Sequence, residues 1–154
     1  QYTPLNKKFT LAFNGESGWG KGMGGRPFPV FKNFYSGGLG SVRGFEQGSL
    51  GRHDSVNTNL ALGGTRKLTL NGEFMIPFPG AGNDRTLRLF TFVDVGNVWA
   101  EGESMELNSL RASTGIGISW ISPLGPLRLA YAQPIRKETG DRIQKLQFQI
   151  GTSF

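Results

Sequence analysis

The sequence predicts an all-β fold, an antiparallel transmembrane β-barrel, on three observations. Hydrophobic residues recur at every second position in six segments of the chain, which is the period of a strand and not of a helix. The alternating segments run about 10–14 residues, long enough for a tilted strand to cross a bilayer. The polar face carries mainly small and neutral side chains, whereas the solvated face of a soluble sheet carries many Lys, Glu and Asp.

Six segments alternate and are the predicted strands: 8–17, 65–77, 86–99, 109–121, 126–136 and 143–154. Their apolar face carries Phe9, Leu11, Phe13, Leu68, Leu70, Phe74, Leu89, Val93, Val95, Ile116, Ile118, Trp120, Leu129, Tyr131, Phe148, Ile150 and Phe154. Their other face carries Thr69, Glu73, Phe90, Phe92, Asp94, Arg111, Ser113, Arg128, Lys145, Gln147 and Gln149. A soluble barrel with an apolar core would also alternate, so a soluble all-β binding module stays open as an alternative.

The connections between the segments differ in length. Compact turn sequences rich in Pro and Gly occupy 77–84 and 122–126, whereas one glycine-rich excursion runs from 18 to 64. Short turns at one end and long loops at the other are typical of outer-membrane barrels. Four aromatic residues near strand ends are predicted to form an interfacial girdle, namely Trp99, Trp120, Tyr131 and Phe154.

Composition argues against several function classes. The chain has no cysteine and one histidine, and no cluster of carboxylates is apparent, so we expect neither a disulfide framework nor a metal site. The net charge of +6 raises the question of nucleic acid, but the cations are dispersed along the chain. A solvated surface or attraction to anionic lipid explains that charge, and no nucleic-acid partner is predicted.

No catalytic centre or cofactor site is predicted either. Residues 20–25 match G-x-G-x-x-G, but the prolines that follow in 26–29 forbid the helix which a dinucleotide site requires. His53 and Asp54 lie near serines without the strand–turn–helix sequence of a nucleophile elbow. We therefore expect a protein that is not an enzyme.

The most specific internal motif lies in the long loop, at Val42, Arg43, Gly44 and Phe45. Gly44 permits a tight turn beside Arg43, while the two apolar residues can anchor the tip in a surface. If the tip enters the barrel lumen, Arg43 needs a carboxylate partner, because an unpaired buried charge costs several kcal/mol.

Strand parity places two acidic residues of the predicted strands on the lumen face, Glu73 and Asp94, and either could take Arg43 in a bidentate pair. Simple hairpin registry offsets the two by several residues, which leaves open whether Arg43 reaches both. The alternative is a plain glycine-rich loop that exposes its arginine.

Four stretches together resemble the BamA family of outer-membrane protein assembly factors: the loop motif at 42–45, and residues 92–99, 125–134 and 148–154. The resemblance implies a sixteen-stranded barrel of which these are the last six strands. Residues 1–154 would be its C-terminal portion, without the family's periplasmic domains. The loop 18–64 would be the extracellular loop that folds into the lumen, with Arg43 paired to Glu73 and Asp94.

The resemblance also implies a function, insertion of β-barrel proteins into the bacterial outer membrane through a lateral gate. Strand 143–154 would be the gate strand that closes against the first strand, and its Phe148, Ile150, Gly151 and Phe154 would form the seam and C-terminal signal. The chain ends in Phe154 where many relatives carry tryptophan. The implied partners are outer-membrane lipid, the remaining strands and periplasmic domains of the same protein, accessory lipoproteins and unfolded client proteins. A translocation pore of the TamA or two-partner-secretion type, such as FhaC, is the alternative.

Overall fold

The computed structural model describes residues 1–4, 9–57, 59–80, 86–123 and 125–151. Nine strands form it: β1 (Tyr2–Pro4), β2 (Thr10–Trp19), β3 (Gly44–Phe45), β4 (Arg66–Pro77), β5 (Leu87–Trp99), β6 (Arg111–Ser122), β7 (Gly125–Arg136), β8 (Ile143–Gln144) and β9 (Leu146–Ile150). Two short 3-10 turns, Val30–Lys32 and Leu107–Ser109, lie in the loops. In the described ranges, no helix is long and apolar enough to cross a membrane.

Seven strands form one antiparallel sheet in the order β1-β2-β4-β5-β6-β7-β9, and β3 pairs with β8 in a separate small ladder. The central hairpins are long, since β4 pairs with β5 from Arg66↔Trp99 to Pro77↔Arg88. The last pairing is short: β9 meets β7 only from Leu127↔Ile150 to Tyr131↔Leu146. The all-β antiparallel prediction is confirmed, and each of the six predicted segments contains a strand of this sheet.

The two faces of the sheet differ as the alternation predicts. Apolar side chains project outward from successive strands, with Ile116 59% and Phe148 70% exposed. The inward face instead buries Phe90, Phe92 and Asp94. An exposed apolar surface that crosses many strands is stable only in an apolar environment, and the lipid-facing side of a membrane barrel provides one.

The structure departs from the predicted strands at both ends of the sheet. The three residues of β1 pair with β2 and are too few to show a period in sequence. The last segment is not one continuous strand, because Ile143 and Gln144 turn away from the sheet to pair with the loop. Only Leu146–Ile150 joins β7 as β9, and Phe154 lies outside the described residues.

The prediction of a surface girdle is wrong for Trp99. Its side chain is buried, and its Nε1–H donates a hydrogen bond to Ser109 Oγ at 2.7 Å. The long loop packs on this end of β5, where Gly64 lies against the backbone of Trp99. Trp120 and Tyr131, in contrast, are exposed on the apolar face.

Glycines on β6 make room for aromatic rings on the inward face. A Cβ on Gly115 would lie 2.7 Å from Phe92 Cζ, and a Cβ on Gly117 would overlap the ring of Phe90. The two rings therefore lie over a strand that has no side chains at these positions. This packing brings the Phe92 ring to the point where the loop meets the sheet.

Candidate functional site

The long loop turns back on itself before it reaches the sheet. Gly37, Gly38 and Gly44 have φ of 108°, 94° and 88°, in the left-handed region that glycine adopts without strain. The Gly38 N–H donates to Val42 O and the Ser41 N–H donates to Gly38 O, each at 3.0 Å. The turn thus projects residues 42–45, the loop tip, towards the inward face of the sheet.

Apolar packing seats the loop tip on both sides of Arg43. Val42 and Phe45 are fully buried and form one cluster with Leu50 from the same loop. Val42 reaches β5 where Gly96 leaves space, since a Cβ at that glycine would lie 2.8 Å from Val42 Cγ2. The two residues that the sequence offered as anchors are therefore both out of contact with solvent.

The structure brings both candidate carboxylates onto Arg43, which is itself only 4% exposed. Arg43 Nε donates to Asp94 Oδ2 at 2.6 Å, and Nη2 donates to Asp94 Oδ1 at 2.7 Å. Nη1 donates to Glu73 Oε2 at 2.7 Å. The backbone N–H of Arg43 adds a bond to Asp94 Oδ2 at 3.0 Å, so one carboxylate fixes both the side chain and the main chain of the tip.

The sheet register explains why one arginine reaches two strands. Asp94 is paired with Asn71, and Glu73 is paired with Phe92. Glu73 and Asp94 are therefore diagonal neighbours on the same face, close enough for one guanidinium to bridge them. The register offsets the two by two residues, fewer than simple hairpin registry predicts.

Neighbouring side chains complete the ion cluster. The guanidinium carbon of Arg43 lies 3.6 Å from the ring centroid of Phe92, a cation–π contact. Arg128 of β7 bonds the other oxygen of Glu73 at 2.5 Å and lies over the Phe90 ring at 4.7 Å. Two arginines thus face two carboxylates, and the cluster has no net formal charge.

The electrostatics keep Arg43 ionised. Burial alone would lower its pKa, but the hydrogen bonds and charges of Asp94, and then of Glu73, outweigh burial and raise the pKa above its ordinary value. Each nitrogen of the guanidinium already donates to a carboxylate oxygen. The geometry is therefore that of a contact that holds the loop against the sheet.

A second set of contacts ties the loop tip to the end of the sheet. Gln147 of β9 accepts a bond from the Gly44 N–H at 3.3 Å and donates one to Phe45 O at 2.7 Å. Beyond the tip, Glu46 pairs with Arg142, with Oε2 and Nε 2.6 Å apart. Sequence reasoning assigned Gln147 and Arg128 to the lumen face without giving either a place in the site. Strand parity was the available signal, but the contacts depend on how the sheet curves.

The predicted gate residues lie apart from the ion cluster. Phe148 and Ile150 project from the exposed apolar face of β9. Gly151 follows with a φ of 87°, and its N–H donates to Pro126 O at 2.8 Å. Phe154 was part of the same predicted site and lies beyond the last described residue. Among the described residues, no group of three or more His, Cys, Asp or Glu is arranged to hold a metal ion.

Comparisons with known proteins identify the family of the chain. The chain is 40% identical to the outer membrane protein assembly factor BamA of Neisseria meningitidis, over an alignment of 181 residues that covers 99% of the chain. It is 31% identical to the BamA of Nitratidesulfovibrio vulgaris, over an alignment that covers 82% of this chain and 16% of that protein. The crystal structure of BamA from Haemophilus ducreyi lacking POTRA domains 1-3 superposes with a TM-score of 0.82 and 31% identity, covering 96% of the chain.

The chain corresponds to only part of these proteins. It spans 23% of the length of the Neisseria protein and 32% of the Haemophilus chain. The model of the Omp85 superfamily domain matches residues 1–154. The chain therefore belongs to the Omp85 superfamily, and it is the C-terminal part of a BamA-type β-barrel of the bacterial outer membrane.

Proposed function

We propose that this chain is the gate-bearing part of an insertase that folds β-barrel proteins into the outer membrane. The observation that carries the proposal is the weak attachment of β9. In the described part of the chain β9 pairs with β7 over five residues, and one further backbone bond lies at each end, from Ala132 N–H to Lys145 O and from Gly151 N–H to Pro126 O. By comparison, the twelve residues of β7 pair with β6 along nearly their whole length. A last strand held by a shorter ladder shifts at lower cost than a central strand, which would let its outer edge part from the strand that closes the full barrel.

The mechanism that we propose is templated strand addition and involves no covalent chemistry. An opened edge presents a row of unpaired N–H and C=O groups to an incoming strand, which is the basis of β-augmentation. The exposed apolar face around Phe148 would keep the edge at the depth of the lipid. The process needs no cofactor and no catalytic residue in this chain.

In this proposal, the ion cluster gives the moving edge a fixed support. Arg43, Glu73 and Asp94 lie on the loop and on β4–β5, and Arg128 adds β7 to the same cluster. Strands held by a buried cluster keep their positions while β9 opens. The proposed partners are outer-membrane lipid, the remaining strands and periplasmic domains of the same protein, accessory lipoproteins, and unfolded barrel proteins as clients.

A disulfide across the proposed seam tests the function in the full-length protein. The chain has no native cysteine to interfere, so one cysteine at Gln149 and one on the strand that closes the barrel give a defined bond. We expect the oxidised seam to stop cell growth and client insertion, and a reductant to restore both. Growth and insertion that continue with a quantitatively locked seam would rule out the gate.

A matched control locks a pair of strands that the proposal leaves closed. Val93 and Thr114 are directly paired on β5 and β6, so a disulfide between them crosslinks two central strands. We expect this variant to insert clients at the normal rate when oxidised.

The alternative function is a translocation pore of the same superfamily. Such a pore would transport one dedicated partner and would not insert a range of client proteins.

A further inference from the structure

The loop tip is held from two opposite directions. Arg43 ties it to β4 and β5 through Glu73 and Asp94. The next two residues are tied to β9 through the side chain of Gln147. One short stretch of loop therefore connects the interior of the sheet to its last strand.

Gln147 is suited to this contact by both of its polar atoms. Its Oε1 accepts from the Gly44 N–H and its Nε2 donates to Phe45 O, so one side chain serves a donor and an acceptor of the tip backbone. The residue is 5% exposed, and water has little access to replace either bond. Removing the partner of a buried backbone group leaves that group unsatisfied, which is costly.

Nearby contacts also hold the loop tip against the last strands of the sheet. Gly44 and Phe45 pair with Gln144 and Ile143 in the β3–β8 ladder. Gly44 also lies so close to β7 that a Cβ there would be 3.1 Å from Ala132 Cβ. The tip thus rests on β7 and is bonded to β9, the strand that carries the proposed gate edge.

We propose that Gln147 is a positioning residue that couples the seat of the loop tip to the pairing of β9. While the tip is seated, β9 cannot leave β7 without breaking both bonds of Gln147. When the tip is withdrawn, β9 loses an inner support and separates more easily. The consequence for insertion rests on the proposed function, whereas the coupling itself is a property of the fold.

Hydrogen exchange in the full-length protein in nanodiscs measures the coupling, with Gln147→Ala and Arg43→Ala as single variants and in combination. We expect Gln147→Ala to speed exchange about tenfold both at the tip amides and along β9, since it removes a buried bond at each. Arg43→Ala should speed exchange along β9 as well, although it lies on the far side of the tip. In the Gln147→Ala background, Arg43→Ala should add nothing further at β9.

Two further variants separate coupling from general loss of stability. Gln149→Ala removes an amide from the same strand and face, and in the described part of the chain its side chain makes no hydrogen bond with the tip. We expect tip exchange in this variant to match the wild type. Gln147→Glu keeps the acceptor for Gly44 and loses the donor to Phe45, so its effect at the tip should be intermediate.

Two results would overturn the proposal: tip exchange unchanged in Gln147→Ala, or additive effects of the two substitutions at β9. Neither depends on client insertion, so a failure here leaves the seam experiment unaffected. Conversely, coupled exchange in a protein whose locked seam still inserts clients would support the coupling and reject the gate.

Discussion

At the residue scale, the central feature is a buried arginine whose three guanidinium nitrogens each donate a hydrogen bond to a carboxylate. Transfer of Arg43 into the protein carries a desolvation cost that only close, well-directed partners can offset. Asp94 supplies two bonds to the guanidinium and a third to the backbone N–H, whereas Glu73 supplies one. The two carboxylates are therefore unequal, although sequence position alone treats them alike.

This inequality predicts different costs for Asp94→Asn and Glu73→Gln. We expect Asp94→Asn to destabilise the seated loop by about 3–5 kcal/mol, the cost of breaking a buried ion pair. Glu73→Gln should cost clearly less, because Arg43 keeps its bidentate partner and the half-buried Arg128 can turn to solvent. Protease protection of the loop, measured against denaturant in the full-length protein, gives both values. Equal costs, or the reverse order, would contradict this view of the cluster.

The conformation of Gly44 predicts a second effect at this scale. Gly44→Ala places a side chain at a φ of 88° and directly against Ala132. We expect a loss of about 1–2 kcal/mol from the left-handed backbone alone, with the clash added to it. Gly102→Ala is the matched control, because its φ is 86° and no atom lies within 4 Å of the new Cβ. Equal melting shifts in the two variants would show that the fit against β7 contributes nothing.

At the element scale, β6 has glycines where the aromatic rings of β5 lie across it. Gly115 and Gly117 let Phe92 and Phe90 lie across the sheet, and the Phe92 ring in turn supports Arg43. Glycine in a strand interior is unfavourable by itself, and it commonly marks a close approach of another group. The glycine content of β6 is thus tied to the position of the loop.

We expect Gly117→Ala to displace the Phe90 ring and to cost about 1–3 kcal/mol, as overpacking usually does. Gly72→Ala on β4 is the control, since its nearest neighbour would be Phe13 Cε1 at an ordinary 3.5 Å. Thermal unfolding of the full-length protein in lipid would show the difference. A larger loss in Gly72→Ala than in Gly117→Ala would contradict the proposed role of the gap.

At the scale of the whole molecule, one face of the sheet requires lipid and the other is filled by the loop. Ile116 lies in the middle of β6 on the exposed apolar face. The inward face buries charged groups, which pair with one another. An apolar outer face and a polar interior are typical of a membrane barrel, whereas a soluble barrel has the opposite arrangement.

A charge on the outer face should therefore be costly in a bilayer. We expect Ile116→Arg to destabilise the folded protein in lipid vesicles by about 2–4 kcal/mol, the cost of an arginine near the midplane. Val56→Arg, in an exposed part of the loop, should leave the unfolding free energy unchanged. Equilibrium unfolding in vesicles checks both, and an Ile116→Arg protein as stable as the wild type would place this face outside the lipid.

Local pattern accounts for most of the fold. The alternation of Leu70, Val93, Ile116 and Phe148 with polar neighbours specified the strands and their outward face, because side chains in a strand point to opposite sides in turn. The pattern failed where few residues pair, as in β1, and where the loop covers a strand end, as at Trp99. In both places, contacts distant in sequence outweigh the local period.

The sequence by itself determined an all-β chain with an apolar outer face, and it singled out Arg43 together with two acidic residues of the inward face. Only the tertiary structure decided that Glu73 and Asp94 are diagonal neighbours and that Gln147 hydrogen-bonds to the backbone on the other side of the tip. Parity depends on a residue and its immediate neighbours, so it can be read along the chain. Register, sheet curvature and the path of the loop depend on pairings between distant segments, and folding alone brings Arg43, Asp94 and Gln147 around one tip.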